Sequence, residues 1–256
     1  MGSRIELEFG KTVHENASDY YERAKELRKK AKKAEKAIEA TMKEMNGAEK
    51  KSDPVPRRSV RVKKEKKWFE RYHWFESDGF MVLAGRDAKQ NEELVWKQLG
   101  ESDLFFHADI RGAPATILKD GKKAAEKVFT ETAQFAGSYS SAWKAGLSSV
   151  DVYSVEKSQV SKEAQGEYLG TGSFVISGKR NWFRNTELGL RIGVDEKGGL
   201  LCVPISSKFK FSKDLALKPG PKEKGETARA VAKELGTEVD DVLSILPAGN
   251  FAIVKA

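Results

Sequence analysis

The spacing of apolar residues changes near residue 67, and that break limits what the chain can fold into. Before it, apolar side chains recur every seventh position. One series is Ala17, Ala24, Ala31, Ile38 and Met45; the other is Tyr20, Leu27, Ala34 and Thr41. Heptads sustained over this length predict a coiled-coil helix. Thr12 and Glu15 have capping-box spacing and mark its start, and Gly47 supplies a stop. The seam is rich in alanine and buries little area per turn, so such a helix calls for a partner. Residues 51–59 (KSDPVPRRS) carry two prolines and read as linker, and residues 60–67 can turn helical again. The prediction over 12–67 is an antiparallel helical hairpin, against a single long helix as the plainer alternative.

Charge follows the same border. The 256 residues carry a formal net charge of +8. Residues 1–72 hold 21 basic and 13 acidic side chains, while the rest is balanced at 25 of each. Arg57, Arg58, Arg61, Lys63, Lys64, Lys66, Lys67 and Arg71 face only Glu65 and Glu70. A run this basic attracts polyanions, nucleic acid first; the plainer alternative is a solvated or flexible linker. Cys202 is the single cysteine, which excludes an internal disulfide scaffold or a multi-cysteine zinc site. No apolar run is long enough to span a bilayer, and none resembles a signal peptide. The expectation is a soluble, reduced, cytoplasmic protein with no membrane contact.

Beyond residue 67 aromatics appear, and Asp78-Gly79 between two apolar runs predicts a β-hairpin. Helical spacing covers 88–99 and 122–136. Strand patterns fall at 103–108, 115–118, 149–155, 173–177, 190–194, 200–205 and 251–254. Two short helices separated by Gly236 are expected over 222–246. Hairpins at Asp78-Gly79 and Gly198-Gly199 require antiparallel neighbours. The predicted class is therefore α+β: a mixed, largely antiparallel sheet with flanking helices, preceded by the helical arm. The expected division is an arm with basic linker over 1–67 and a folded domain over 68–256.

Several motifs carry polar chemistry. Arg86 and Asp87 sit at a strand end before a helix; Asp87 suits an N-cap, and Gln90 and Asn91 add donors nearby. Strand alternation predicts His107, Asp109 and Arg111 on one face. A His–Asp pair can orient a tautomer for base or metal chemistry, but three histidines without metal-ligand spacing argue against a catalytic metal. A structural histidine, or one that contacts a nucleotide, fits better. Gly170-Thr171-Gly172-Ser173 lacks both common phosphate-loop patterns and reads as a turn. Lys179, Arg180, Asn181, Trp182, Phe183 and Arg184 interleave cations, an amide and aromatics, a mixture suited to RNA. The plainer reading is a hairpin tip with two core aromatics.

Five stretches, KKWFERYHWFES, GFMVLAGRDAKQNEELV, DLFFHADIRGAPATILK, SQVSK and GEYLGTGSFVISGKRN, closely resemble the NFACT-R domain of the NFACT ribosome-associated quality-control proteins. The resemblance is strong over about 60–195; the heptad helix resembles that family's arm, and the closing segment resembles archaeal versions. It implies binding to the large ribosomal subunit and its rRNA, and to tRNA, on complexes stalled with a tRNA-linked nascent chain. There the family adds an untemplated C-terminal tail, with bond formation left to the ribosome. It implies no catalytic residues, no metal and no cofactor. The family's N-terminal module and helix-hairpin-helix region do not match anything here, so tail elongation is not expected of this stretch alone.

The expected RNA contacts are Arg57, Arg58, Arg61, Lys63 and Lys64 in the arm. In the domain they are His73, Arg86, Asp87, Gln90, Asn91, His107, Asp109, Arg111, Lys162, Lys179, Arg180 and Asn181, with Trp182 or Phe183 stacking a base. Arg86, Gln90, Asn91 and Arg111 are expected to share one surface with Lys179, Arg180 and Asn181. A protein-interaction module whose arm docks another chain is the alternative, and a nuclease or hydrolase using His107 and Asp109 the weaker one.

Overall fold

A computed structural model describes residues 7, 10–48, 67–164, 167–168 and 170–254. The chain divides into two compact units, Met1–Lys64 and Glu65–Ala256. In the first, helix α1 runs Val13–Ala48. Its start is the anticipated capping box: the Thr12 amide donates to the Glu15 carboxylate at 2.7 Å, and the Glu15 amide donates to Thr12 Oγ1 at 3.3 Å. The heptad residues Leu27 and Ile38 are 57% and 56% exposed. The linker at 51–59, the basic residues Arg57, Arg58, Arg61, Lys63 and Lys64, and all of the return limb but Lys67 lie outside the described residues.

The second unit is built on two antiparallel sheets. The larger takes β1 (His73–Ser77), β2 (Phe80–Ala84), β3 (Leu104–Ala108), β4 (Thr116–Leu118), β5 (Ser149–Glu156) and β10 (Asn181–Glu187), in the order β1-β2-β4-β3-β5-β10. The Asp78-Gly79 turn closes β1 onto β2 as anticipated, with φ of 47° and 84°. Positive φ at both central residues matches the twist of a two-residue hairpin. Between the larger strands lie β6 (Val160–Ser161), β7 (Glu163–Ala164), β8 (Glu167–Tyr168) and β9 (Val175–Ile176), paired β6 with β9 and β7 with β8. The second sheet is ordered β12-β11-β13-β14, from β11 (Leu190–Val194), β12 (Leu200–Pro204), β13 (Lys213–Lys222) and β14 (Phe251–Val254). Every described pairing is antiparallel.

Alternation gives the larger sheet two apolar faces. Phe75, Val82, Ala84, Phe106, Ala108, Leu118 and Val152 join the main core. Helix α3 (Glu126–Ser138) packs there, with Phe135 4.7 Å from Phe75 between ring centres, and the short helix α4 (Ser141–Lys144) follows it. So do Leu190, Ile192, Val203 and Leu217 of the second sheet, with α5 (Lys224–Leu235) and α6 (Val239–Ile245). Gly236, at φ 69°, ends α5 where the sequence places the break. The opposite face, with Leu83, Phe105, Ile117, Tyr153 and Val155, is covered by Leu94, Val95 and Leu99. These three follow α2 (Ala88–Glu93), which widens into a π-helical turn at Leu94–Gln98. The strand expected at 173–177 shortens to β9, and β10 and β13 are strands the sequence reading did not anticipate.

Candidate nucleic-acid interface

On that second face, a cleft of about 470 Å³ opens where β3 and β2 end. Its walls come from three of the sequence motifs: Gly85 to Ala88 with Asn91, His107 with Ile110 to Pro114, and Gly172 to Phe174. Phe105, Tyr139, Tyr153 and Ile176 complete it. The glycines fit by necessity. A Cβ on Gly172, which sits at φ +78°, would stand 2.8 Å from the Ala88 backbone, and one on Gly85 would stand 2.1 Å from Asn91 Oδ1. Each allows one wall to lie directly against the next.

Beside the cleft, three cross-strand neighbours carry ring systems: His107 on β3 faces Tyr153 on β5, which faces Trp182 on β10. The Tyr153 and Trp182 rings meet edge to face at 5.3 Å. Arg180 lies over Tyr153 at 4.6 Å from the ring centre, and Arg184 over Trp182 at 3.9 Å. Arg184 is held by Asp151 at 2.5 Å; the Asn185 amide, then Arg184, keep that carboxyl below its usual range. Phe183, the other stacking candidate, turns to the opposite side and stacks on Phe106 at 5.6 Å. Since β10 is the sheet's edge strand, this row of rings and cations borders its open side.

The anticipated site residues separate into committed and free groups. Asp87 caps α2 by accepting the Gln90 amide at 2.8 Å, and the Gln90 side chain accepts the Arg86 amide at 3.2 Å. Asn91 Oδ1 accepts the Ala115 amide at 3.1 Å, and Lys162 pairs with Glu92. Arg86 donates to the carbonyls of Ser244 and Tyr72, both at 3.1 Å. Two neighbours serve the same helix end: Tyr139 donates to the Ile245 carbonyl at 2.7 Å and Lys224 to that of Leu246 at 2.9 Å. Three successive carbonyls at the C-terminal end of α6 are thus met by two cations and a phenol, which answers unpaired acceptors and the negative end of the helix together.

By contrast, among the described residues the side chains of Arg111, Lys179 and Asn181 make no hydrogen bond or ion pair, and Arg180 only its ring contacts. The shared surface expected from the sequence is partly assembled. Arg86, Asn91 and Arg111 line the cleft and Arg180 stands over one of its walls, while Gln90, Lys179 and Asn181 do not line it. The strand ends at Ala108, so alternation does not carry to Asp109 and Arg111, which fall in the following turn. Asp109 does not line the cleft.

Burial sets the protonation of the histidines. His73 stacks on Tyr139 at 4.1 Å, and burial, then Arg86 and Lys224, holds it well below the usual imidazole range. Burial lowers His107 as well, against backbone hydrogen bonding at Ala108 and Ala113 and the Asp109 carboxylate. Both rings are kept neutral near pH 7. Cys202 is buried, its thiol pushed up to about 12. Among the described residues no cluster of three metal-ligating side chains occurs, and no helix is long and apolar enough to cross a membrane.

Comparison with known proteins places this geometry. The model of the NFACT protein RNA binding domain matches residues 68–178, the stretch that forms the cleft. The archaeal Rqc2 homolog aRqcH of Methanocaldococcus jannaschii is 42% identical over 204 residues, covering 76% of this chain and 30% of that protein. Residues 68–178 belong to the NFACT-R family. Ribosome quality control complex subunit NEMF of Homo sapiens is 35% identical to this NFACT-R chain over 179 residues, 66% of the chain and 16% of the relative. The chain therefore spans less than a third of these relatives. A solved C-terminal structure of the fibronectin/fibrinogen-binding protein from Streptococcus suis covers 69% of this chain and 77% of its own, at 21% identity and a TM-score of 0.40.

Proposed function

We propose that this NFACT-R chain is the RNA-holding part of a cytoplasmic ribosome-associated quality-control factor. It contacts tRNA and large-subunit rRNA on stalled ribosomal complexes, within a polypeptide that also carries the family's N-terminal module. The ring-and-cation row of His107, Tyr153, Trp182, Arg180 and Arg184 carries this reading, since such surfaces hold phosphate and stack bases. The names of the relatives supply the ribosomal setting. In this reading residues 1–67 form the arm that lies along the ribosome and adds nonspecific phosphate contacts, and residues 68–256 hold RNA. The bond-forming chemistry stays with the ribosome, so the domain needs neither cofactor nor metal. Among the described residues Asp109 makes no hydrogen bond or ion pair with His107, as a carboxylate orienting a base would, which disfavours the hydrolase alternative.

Crosslinking the purified chain to total RNA and sequencing the products tests this. Enrichment of tRNA and large-subunit rRNA is expected, reduced by Trp182→Ala and Arg180→Ala at a temperature where melting shows both variants folded. Recovery of RNA in proportion to its abundance, indifferent to both substitutions, would refute it.

A further inference from the structure

We propose that the cleft between Gly172–Phe174 and the end of β3 takes one unpaired nucleotide of RNA, its base inside and its phosphate against Arg111 and Arg180. The inference rests on the RNA-binding reading above and adds what kind of RNA the domain selects. The first argument is shape. The cleft's volume of about 470 Å³ falls in the range of small-ligand sites, and its walls are braced by Gly172 against Ala88 and Gly85 against Asn91. A double helix presents ribose and phosphate on its outside and cannot enter such a recess; a base turned out of a loop can.

The lining agrees. Phe105 is wholly buried and forms floor, while half-buried Phe174 and the Tyr153 ring form apolar walls that suit a base's faces. His107 stands between them, 6.0 Å from Phe105 and 5.9 Å from Tyr153 between ring centres. Backbone hydrogen bonding at Ala108 and Ala113 fixes its imidazole, and the neutral ring adds a further flat face to the lining. Charge makes the third argument. Asp87, Arg86, Lys162, Arg184 and Asp151 all have partners, whereas Arg111 in the lining and Arg180 above Tyr153 have no hydrogen bond or ion pair among the described residues. These two cations flank the recess and outnumber the one acid near it that is likewise unpartnered among the described residues, Asp109, so the phosphate of an inserted nucleotide would lie beside them.

The test compares two dye-labelled RNAs of equal length. One is a hairpin with 2-aminopurine in its loop, the other a blunt duplex with 2-aminopurine paired to uracil. The hairpin should bind about tenfold tighter, and its 2-aminopurine emission should fall on binding as the base meets the rings. Ser173→Trp, placed on an exposed residue at the mouth, and Arg111→Ala should each remove about tenfold of hairpin affinity and leave duplex binding unchanged. Thermal melting checks that both variants fold, and Arg111→Ala stands alone if Ser173→Trp does not. Equal binding of hairpin and duplex, with emission and both variants unchanged, would overturn the cleft assignment and leave RNA binding intact. Failure to bind either RNA would overturn both.

Discussion

Arg86 sits in one of the motifs that carry the family resemblance, and its hydrogen bonds tie it to the fold. Truncation by Arg86→Ala removes donors from the carbonyls of Tyr72 and Ser244. Tyr72 is 1% exposed, so water cannot readily replace the lost partner there. A buried acceptor left unmatched costs about 1–3 kcal/mol. Ser244 is exposed and rehydrates, but the α6 terminus loses a cation, worth about 0.3–1 kcal/mol. The expected loss is about 2–3 kcal/mol. For a unit of this size that lowers the melting temperature by about 5–10 °C. Local opening should be concentrated at α6, where the Leu246 amide donates to the Val242 carbonyl at 3.2 Å, and hydrogen exchange at Leu246 should accelerate. Arg86→Lys should recover part of the loss, since one amine replaces a fork with two arms. Below the melting transition, RNA affinity should change less than threefold. An unchanged melting temperature together with a tenfold loss of affinity would refute the clamp and return Arg86 to the RNA surface.

Other outcomes follow from the same geometry. His73 has a folded pKa well below its unfolded value, so the unfolded chain takes the proton first; stability is full above about pH 6.5 and drains as pH falls, by about 1.4 kcal/mol per unit. His73→Phe keeps the ring against Tyr139 and removes that titration, so its melting temperature should fall less than wild type between pH 6.5 and 5; parallel curves would count against the assignment. Gly85→Ala drives a Cβ to 2.1 Å from Asn91 Oδ1 and should cost about 1–3 kcal/mol by urea denaturation, with an unmoved midpoint as the contrary result. Neutralising Arg57, Arg58, Arg61, Lys63 and Lys64 should lower the salt slope of RNA binding by about 2–3, and an unchanged slope would take the basic run away from phosphate.

Local signals were legible where one turn or cap decides the conformation: Thr12 with Glu15, Asp78-Gly79, Asp87 and Gly236 all act as read. Strand β10 escaped because its two apolar residues, Trp182 and Phe183, are adjacent and serve opposite faces, and its pairing with β5 slips between Phe183 and Thr186, so no alternation shows. Strand β13 contains Pro219 and Gly220, ordinarily signs against a strand; its pairing with β14 slips between Pro219 and Lys222, which accommodates them. The motifs at 85–91, 107–114 and 172–174 were singled out, but their union in one cleft depends on sheet order. The roles of Arg86 and Asn91 were illegible for another reason. Their partners are backbone groups, which leave no residue-type signature, and those of Arg86 include one near the far end of the chain.

That distance has a consequence in time. Arg86 and Ser244 are separated by 158 residues, and Tyr139 and Ile245 by 106. At a synthesis rate of about 5–20 residues per second, roughly 8–30 s pass between the making of Arg86 and of its acceptor on α6. The β1–β2 hairpin can pair at once, because its loop is short. The guanidinium beside it must wait for nearly the whole domain. A nascent chain arrested within that interval holds the Gly85-Arg86-Asp87 corner without the helix end that secures it. The clamp thus closes only after α6 has been made, and a domain cut short before residue 244 cannot close it at all.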